Sequence, residues 1–193
     1  MISKNGLLHR RAVVAELLRE RGDLLVIAGL GAPNWDVTAA GDHPNTFPLW
    51  GAMGSAAMIG LGLALAKPNA RVAVITGDGE MLMGLGSLAT IGVQKPNNLA
   101  IVVFDNGLYG ETGRQRSHTA LGTDLVTVAG GCGIADALRD PGPEDLAERI
   151  RARRATTFAL VRVEQDEPPR ALPPRDGVAN KNAFRAALGL PTF

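Results

Sequence analysis

Four short apolar runs, three of them ending in glycine-bearing turns, limit what this chain can fold into. The runs are residues 24–28 (LLVIA), 71–76 (RVAVIT), 99–104 (LAIVVF) and 158–163 (FALVRV). Each is nearly continuous in apolar side chains and rich in aliphatic residues, the pattern of a strand covered on both faces. The first three run into Gly29-Leu30-Gly31, Gly77-Asp78-Gly79 and Asp105-Asn106-Gly107, which is turn chemistry. Helical patterns lie between and around them. Residues 6–21 carry Leu7, Val13, Val14, Leu17 and Leu18 at helical spacing. Residues 54–66 are apolar nearly all round, which predicts a buried helix. Residues 80–93 follow the second strand directly as a third helix. Residues 144–153 place Leu146 and Ile150 on one face, with Pro143 near the start. Strands alternating with helices predict an α/β fold, a parallel sheet with helices on both faces. Ligands of such sheets bind outside the carboxyl ends of the strands, where the glycine turns stand.

Beyond Val163 the composition changes. Residues 164–176 hold four prolines and six charged side chains, which reads as an extended arm, and residues 180–188 read as a small terminal helix. The expected organisation is an α/β ligand-binding domain over residues 1–165 and a Pro-rich arm with a short C-terminal helix over 166–193.

Charge and composition remove several function classes. The formal net charge is +1, so no global basic field draws nucleic acid or a membrane surface. Aromatics make up 4% of the chain, too few for a base-stacking platform. Cys132 is the single cysteine; it can make no internal disulfide and no zinc site by itself. The amino-terminal stretch is charged (Lys4, His9, Arg10, Arg11) and lacks an apolar signal core. The longest uncharged apolar run, residues 51–66, is short and Gly/Ala-rich for a bilayer span. The expectation is a cytoplasmic protein with no nucleic acid and no membrane partner.

The three turns differ in what they can bind. Gly29-Leu30-Gly31-Ala32-Pro33-Asn34 begins like a dinucleotide fingerprint, but Asn34 stands where the third glycine belongs. It reads as a nucleotide turn or simply as a tight strand-to-helix turn. Gly77-Asp78-Gly79-Glu80 sits at a strand end and opens a helix, where backbone N–H groups favour an anion. An aspartate there repels a phosphate unless a divalent cation lies between them. Asp78 is therefore either a cation ligand or a cap on its own helix. Asn106 ends the neighbouring strand. Alone, Asn106-Gly107 is an ordinary turn; beside Asp78 it offers an amide oxygen to the same cation. A carboxylate, an amide oxygen and a loop carbonyl suit Mg2+, whose shell is completed by substrate phosphates and water.

Taken together, Gly77 to Asn106 resembles the thiamine diphosphate motif: G-D-G, about 26 residues, then N-N, with Asp105 at the first Asn of the pair. Leu49-Trp50-Gly51-Ala52-Met53-Gly54 resembles the G-x-M-G turn that precedes a buried helix in acetolactate-synthase-type enzymes; without that context Met53 reads as a core methionine. The segments 83–92 (MGLGSLATIG) and 109–115 (YGETGRQ) are similar to those of short decarboxylases acting on sulfopyruvate or phosphonopyruvate. This resemblance implies cofactors, thiamine diphosphate and Mg2+. It implies metal ligands at Asp78, Asn106 and the carbonyl of Leu108. It implies cofactor contacts at Gly31, Asn34, Gly51, Met53, Gly77, Gly79, Glu80, Tyr109 and Gly110, Met53 holding the cofactor bent. It also implies a partner. The glutamate that activates the cofactor's pyrimidine ring belongs in this family to a separate pyrimidine-binding domain, so that domain is expected on another chain of a hetero-oligomer.

The implied reaction is decarboxylation of a small anionic 2-oxoacid. The loop after Asn106 supplies candidates for substrate contact: Glu111, Arg114 and His118, with Arg116 beside them. Arginine binds a sulfonate, phosphonate or carboxylate bidentately, and histidine moves protons near neutral pH; each is otherwise an ordinary solvated side chain. The alternatives within the same chemistry are a carboligase or a 2-oxoacid oxidoreductase component, and outside it a non-catalytic cofactor-binding subunit. The basic cluster Arg149, Arg151, Arg153 and Arg154 reads as a complement to a helix C-terminus.

Overall fold

The computed structural model describes residues 3, 4 and 6–193. In chain order its elements are α1 (Arg10–Leu18), β1 (Leu25–Ala28), α2 (Ala32–Ala39), β2 (Thr46–Pro48), α3 (Ala56–Ala66), β3 (Val72–Gly77), α4 (Asp78–Met83), α5 (Ser87–Gln94), β4 (Leu99–Asp105), β5 (Leu108–Tyr109), β6 (Gln115–Arg116), α6 (Leu125–Gly131), β7 (Asp136–Arg139), α7 (Pro143–Ala152), β8 (Thr157–Arg162) and α8 (Gly177–Ala187). Six strands form one parallel sheet in the order β2-β1-β3-β4-β8-β7. The four apolar runs are its four central strands.

Alternation along each strand builds two cores. Leu25, Ile27, Val74, Ile101, Val103 and Phe158 point to one face, covered by α3, α5, α6 and Phe184 of α8. Val26, Ala28, Ile75, Val102, Phe104 and Val161 point to the other, covered by α1, Val37 of α2, and α7. Register fixes the functional end of the sheet. Gly77 of β3 stands opposite Phe104 of β4, so the turns that begin at Asp78 and Asp105 emerge side by side. Ala28 stands opposite Ile75, which brings the Gly29–Gly31 turn to the same edge.

Several expectations are corrected. The 80–93 helix is two helices: the chain breaks at Gly84-Leu85-Gly86, and a Cβ on Gly84 would lie 2.1 Å from the Gly54 carbonyl oxygen. That close approach requires glycine and pins the end of α4 against the turn before α3. The 54–66 helix is buried on one face only. Ala57, Leu61 and Ala64 enter the core, while Met58 and Leu65 are 42% and 48% exposed. The edge strands β2 and β7 escaped the sequence pattern because they are short and only half-buried; Pro48 is tolerated on an edge.

The 164–176 arm docks back along the sheet edge. Trp50 Nε1 donates to the Pro174 carbonyl at 2.7 Å, and the Arg170 guanidinium lies 4.3 Å from the Trp35 ring centre. Asp176 then caps α8 by accepting from the N–H groups of Val178 and Ala179. The Phe184 ring packs 5.4 Å from that of Phe47. Among the described residues, no helix is long and apolar enough to cross a membrane.

Candidate functional site

A cleft opens at the carboxyl ends of β1, β3 and β4. Of the positions expected to meet a cofactor, Gly31, Met53, Gly77, Asp78, Gly79, Glu80, Asn106, Leu108, Tyr109 and Gly110 line it together. Two do not. Asn34 is buried and donates through Nδ2 to the Leu49 carbonyl at 2.9 Å, holding the chain that leads into Trp50. Gly51 is exposed on the turn, outside the cleft lining. Met53 and Tyr109 crowd the glycine turn from above. A Cβ on Gly79 would lie 2.8 Å from the Tyr109 ring and 3.8 Å from Met53 Cε, so only glycine fits beneath them.

Asp78 is the electrostatic centre. Its side chain is almost wholly buried, and it accepts a hydrogen bond from the Ser117 hydroxyl at 2.5 Å and a longer one from Thr119 at 3.2 Å. Burial pushes the carboxyl up to about 6, and the nearby Asp105 carboxylate adds to the rise. The two hydroxyls act against it but do not cancel it, because they solvate one oxygen while the charge has left water. No arginine or lysine pairs with Asp78 among the described residues, so its ionised form lacks a counter-charge.

Ser117 and Thr119 were not legible as site residues. Their placement depends on a two-stranded hairpin, β5 against β6, closed by the Ser117 N–H donating to the Gly107 carbonyl at 2.8 Å. The hairpin returns the chain under Asp78, and spacing alone does not announce it. Asp105 accepts from the Gly107 N–H at 2.9 Å and from the Thr119 hydroxyl at 2.8 Å. Asn106 Oδ1 accepts from the Leu108 N–H at 3.0 Å, and its carbonyl accepts from Gln165 Nε2 at 3.0 Å. Asn106 thus sits in an Asx turn and is tied to the arm.

The loop candidates divide. Glu111 lines the main cleft beside Gly31. Arg114 pairs with Glu167 of the arm and faces an adjoining hollow with Trp35 and Arg170. His118 is exposed, its Nδ1 2.5 Å from the Tyr109 hydroxyl. Arg116 donates to the Ala120 carbonyl. Arg10 joins both hollows although nothing in its sequence context singled it out. It is buried at the start of α1, and its Nε donates to Asp36, which also accepts from Arg11 Nε at 2.8 Å. Among the described residues no group of three His, Cys, Asp or Glu side chains could hold a metal. Any cation here would need amide, carbonyl or ligand oxygens in addition to Asp78.

Comparison with known proteins bears on this cleft. Residues 35–163 match the family model of the thiamine pyrophosphate enzyme, C-terminal TPP binding domain. The chain is 44% identical over 110 residues to the sulfopyruvate decarboxylase subunit beta of Methanocaldococcus jannaschii, a match covering 57% of this chain and 58% of that protein. It is 34% identical over 161 residues to the subunit of the same name from Methanococcus maripaludis, covering 83% of this chain and 85% of that protein. Among solved structures it superposes on benzoylformate decarboxylase from Polynucleobacter necessarius with a TM-score of 0.62 at 20% identity, covering 84% of this chain and 34% of the other. That likeness concerns the fold. The chain therefore spans between about a third and most of the length of the proteins it matches.

Proposed function

Because the chain belongs to the thiamine pyrophosphate enzymes, as their C-terminal TPP-binding domain, we propose that it is the diphosphate-binding subunit of a decarboxylase acting on a small anionic 2-oxoacid, of the sulfopyruvate or phosphonopyruvate kind. The observation that carries this reading is the cleft in which the glycine turn, Asp78, Asn106 and Met53 meet.

The residues present fit thiamine diphosphate with Mg2+. Asp78 is a buried carboxylate without a cationic partner among the described residues, and a divalent cation would supply the missing charge. Asn106 and Leu108 add neutral oxygens from the same cleft. Ser117 and Thr119 would orient the Asp78 carboxylate by holding one of its oxygens. The cation and the backbone N–H at Gly79 would receive the diphosphate, while Met53 and Tyr109 would bound the space beside it. The cofactor, when bound, supplies the electron sink for loss of CO2. What the chain itself contributes is orientation, charge balance at Asp78 and exclusion of water by Met53, Tyr109 and Phe104. Glu111 is the side chain best placed to face a ligand in the cleft, with Arg114 and His118 at its margin.

A second chain would complete the site. The reading is supported by relatives named as beta subunits, one of them matched over 85% of its length. It is supported too by the apolar surface of α3 and α5, where Met58, Leu65 and Val93 face outward. The deciding experiment is calorimetric titration of thiamine diphosphate with Mg2+ into this chain, alone and mixed with a pyrimidine-binding partner chain, followed by product analysis with sulfopyruvate and phosphonopyruvate. Binding that strengthens with the partner, and an aldehyde product, are expected. An acyloin or acyl-CoA product would replace decarboxylation by carboligation or oxidation, and no binding by folded protein would overturn the reading.

A further inference from the structure

Within the cleft, the Glu80 side chain has no role in the reading above. It stands in the first turn of α4, two residues beyond Asp78, and is 3% exposed. One carboxylate oxygen accepts from the Thr76 hydroxyl at 2.7 Å. The other faces the Gly54 N–H at 3.4 Å. The N–H groups of Leu30 and Ala56 also reach the carboxylate. One side chain therefore ties together the loop after β1, the turn before α3 and the last residues of β3.

Two features show that this space is built for it. A Cβ on Gly29 would lie 2.0 Å from Glu80 Oε2 and 2.9 Å from Thr76 Oγ1, so the carboxylate occupies the volume that any other residue at position 29 would fill. The turn it grips is also strained. Ala52 has φ +55° and Gly54 φ +95°, and a non-glycine residue in the left-handed region persists only where its surroundings enforce it. Met53 lies between those two residues, and Glu80 faces the N–H groups of the first and third residues after it, the first at 3.4 Å.

We propose that Glu80 is a positioning residue: its buried carboxylate fixes the 52–56 turn and thereby sets where the Met53 side chain stands against Gly79 and Tyr109. Its importance to cofactor binding rests on the functional reading above; its hold on the turn does not. The test is methyl NMR of the full chain labelled with 13C-methyl methionine and free of cofactor, with Met53 assigned through Met53→Leu. In Glu80→Ala the Met53 methyl signal is expected to shift out of the Tyr109 ring current or broaden, while that of Met58, on the outer face of α3, stays in place. Glu80→Gln keeps one oxygen acceptor and should move Met53 less. Thiamine diphosphate affinity in the presence of Mg2+ should fall by about tenfold in Glu80→Ala, the effect of losing a charged hydrogen-bond set.

An unmoved Met53 signal in folded Glu80→Ala overturns the proposal. If Met53 and Met58 move together, the fold has suffered and Thr76→Val decides. A shift of Met53 alone in that variant supports the role, and no shift refutes it. Should Met53 respond as expected while the unaltered chain, with and without its partner, binds no cofactor, the positioning role stands and the functional reading fails.

Discussion

Asp78 and Asp105 emerge side by side from β3 and β4, and one hydroxyl joins them: Thr119 lies 2.8 Å from Asp105 and 3.2 Å from Asp78. Two carboxylates in one partly dry pocket cannot both ionise freely, and the more buried of them, Asp78, is the one pushed up to about 6. Its folded value lies above its unfolded one, so the fold favours the protonated form. The stability this contributes is fully present below about pH 4, the ordinary carboxylate value, and is lost as pH rises through 6. In the metal-free protein the loss should be on the order of 3 kcal/mol. Thermal melts across pH 4–7.5 should show it, and Asp78→Asn should flatten that part of the profile. Mg2+ with thiamine diphosphate should reverse the trend, raising Tm more at pH 7.5 than at pH 5. Equal stabilisation at both values would mean that the ligand does not use ionised Asp78.

Ser117 is fully buried and donates to Asp78 at 2.5 Å. Removing its hydroxyl leaves the aspartate with Thr119 alone. Ser117→Ala should therefore push the Asp78 carboxyl higher still and weaken Mg2+-dependent cofactor binding by about 10- to 100-fold, the usual range for a partner that orients a metal ligand. Asp78→Ala should abolish that binding with little loss of folding, because it removes a buried charge as well as its bonds. Calorimetric titration of both variants checks the pair, and wild-type affinity in Asp78→Ala would remove the metal assignment.

The legible part of this molecule is the part written in continuous apolar runs. Residues 24–28, 71–76, 99–104 and 158–163 became the four central strands because burial on both faces leaves no polar position to confuse the pattern. Asp78 and Asn106 were legible because each ends such a run. Thr46–Pro48 and Asp136–Arg139 were not: edge strands are half-wet, and three or four mixed residues carry no period. The break at Gly84–Gly86 was written in two glycines, yet its reason is the Gly54 carbonyl thirty residues away. Ser117, Thr119 and Arg10 reach the site through tertiary folding alone. A serine in a polar loop and an arginine at a helix start look like solvent-facing residues until the hairpin and α1 are in place.

Arg10 and Arg11 share Asp36, which has no exposure to solvent. Deleting one partner of such a group leaves uncompensated buried charge, which costs about 3–5 kcal/mol, whereas replacing both with apolar residues of like volume is often neutral. Asp36→Ala should destabilise the chain by that amount in chemical denaturation. Asp36→Leu combined with Arg10→Met should recover most of it, because Arg11, the remaining partner, is part-exposed and can turn its charge to water. Because Arg10 also lines the cleft, the double variant separates stability from binding. Restored stability with weakened cofactor affinity would assign the guanidinium a share in holding the anion, and wild-type affinity would confine Arg10 to the fold.

The outer face of α3 supplies the last test. Met58, Gly62 and Leu65 are spaced by four and three residues and so share one stripe, and both large side chains are exposed. The opposite stripe, with Leu61 and Ala64, is already used by the sheet. An apolar stripe left in water stabilises nothing in the lone chain, so altering it should not disturb folding. Leu65→Glu is expected to change stability by no more than about 0.5 kcal/mol, the usual range for surface substitutions. If the stripe packs against a pyrimidine-binding chain, the same variant places a charge in a desolvated contact. Association measured by sedimentation or co-elution should then weaken by more than about tenfold. Undiminished association would place the subunit contact elsewhere and leave α3 as an exposed apolar face without that role.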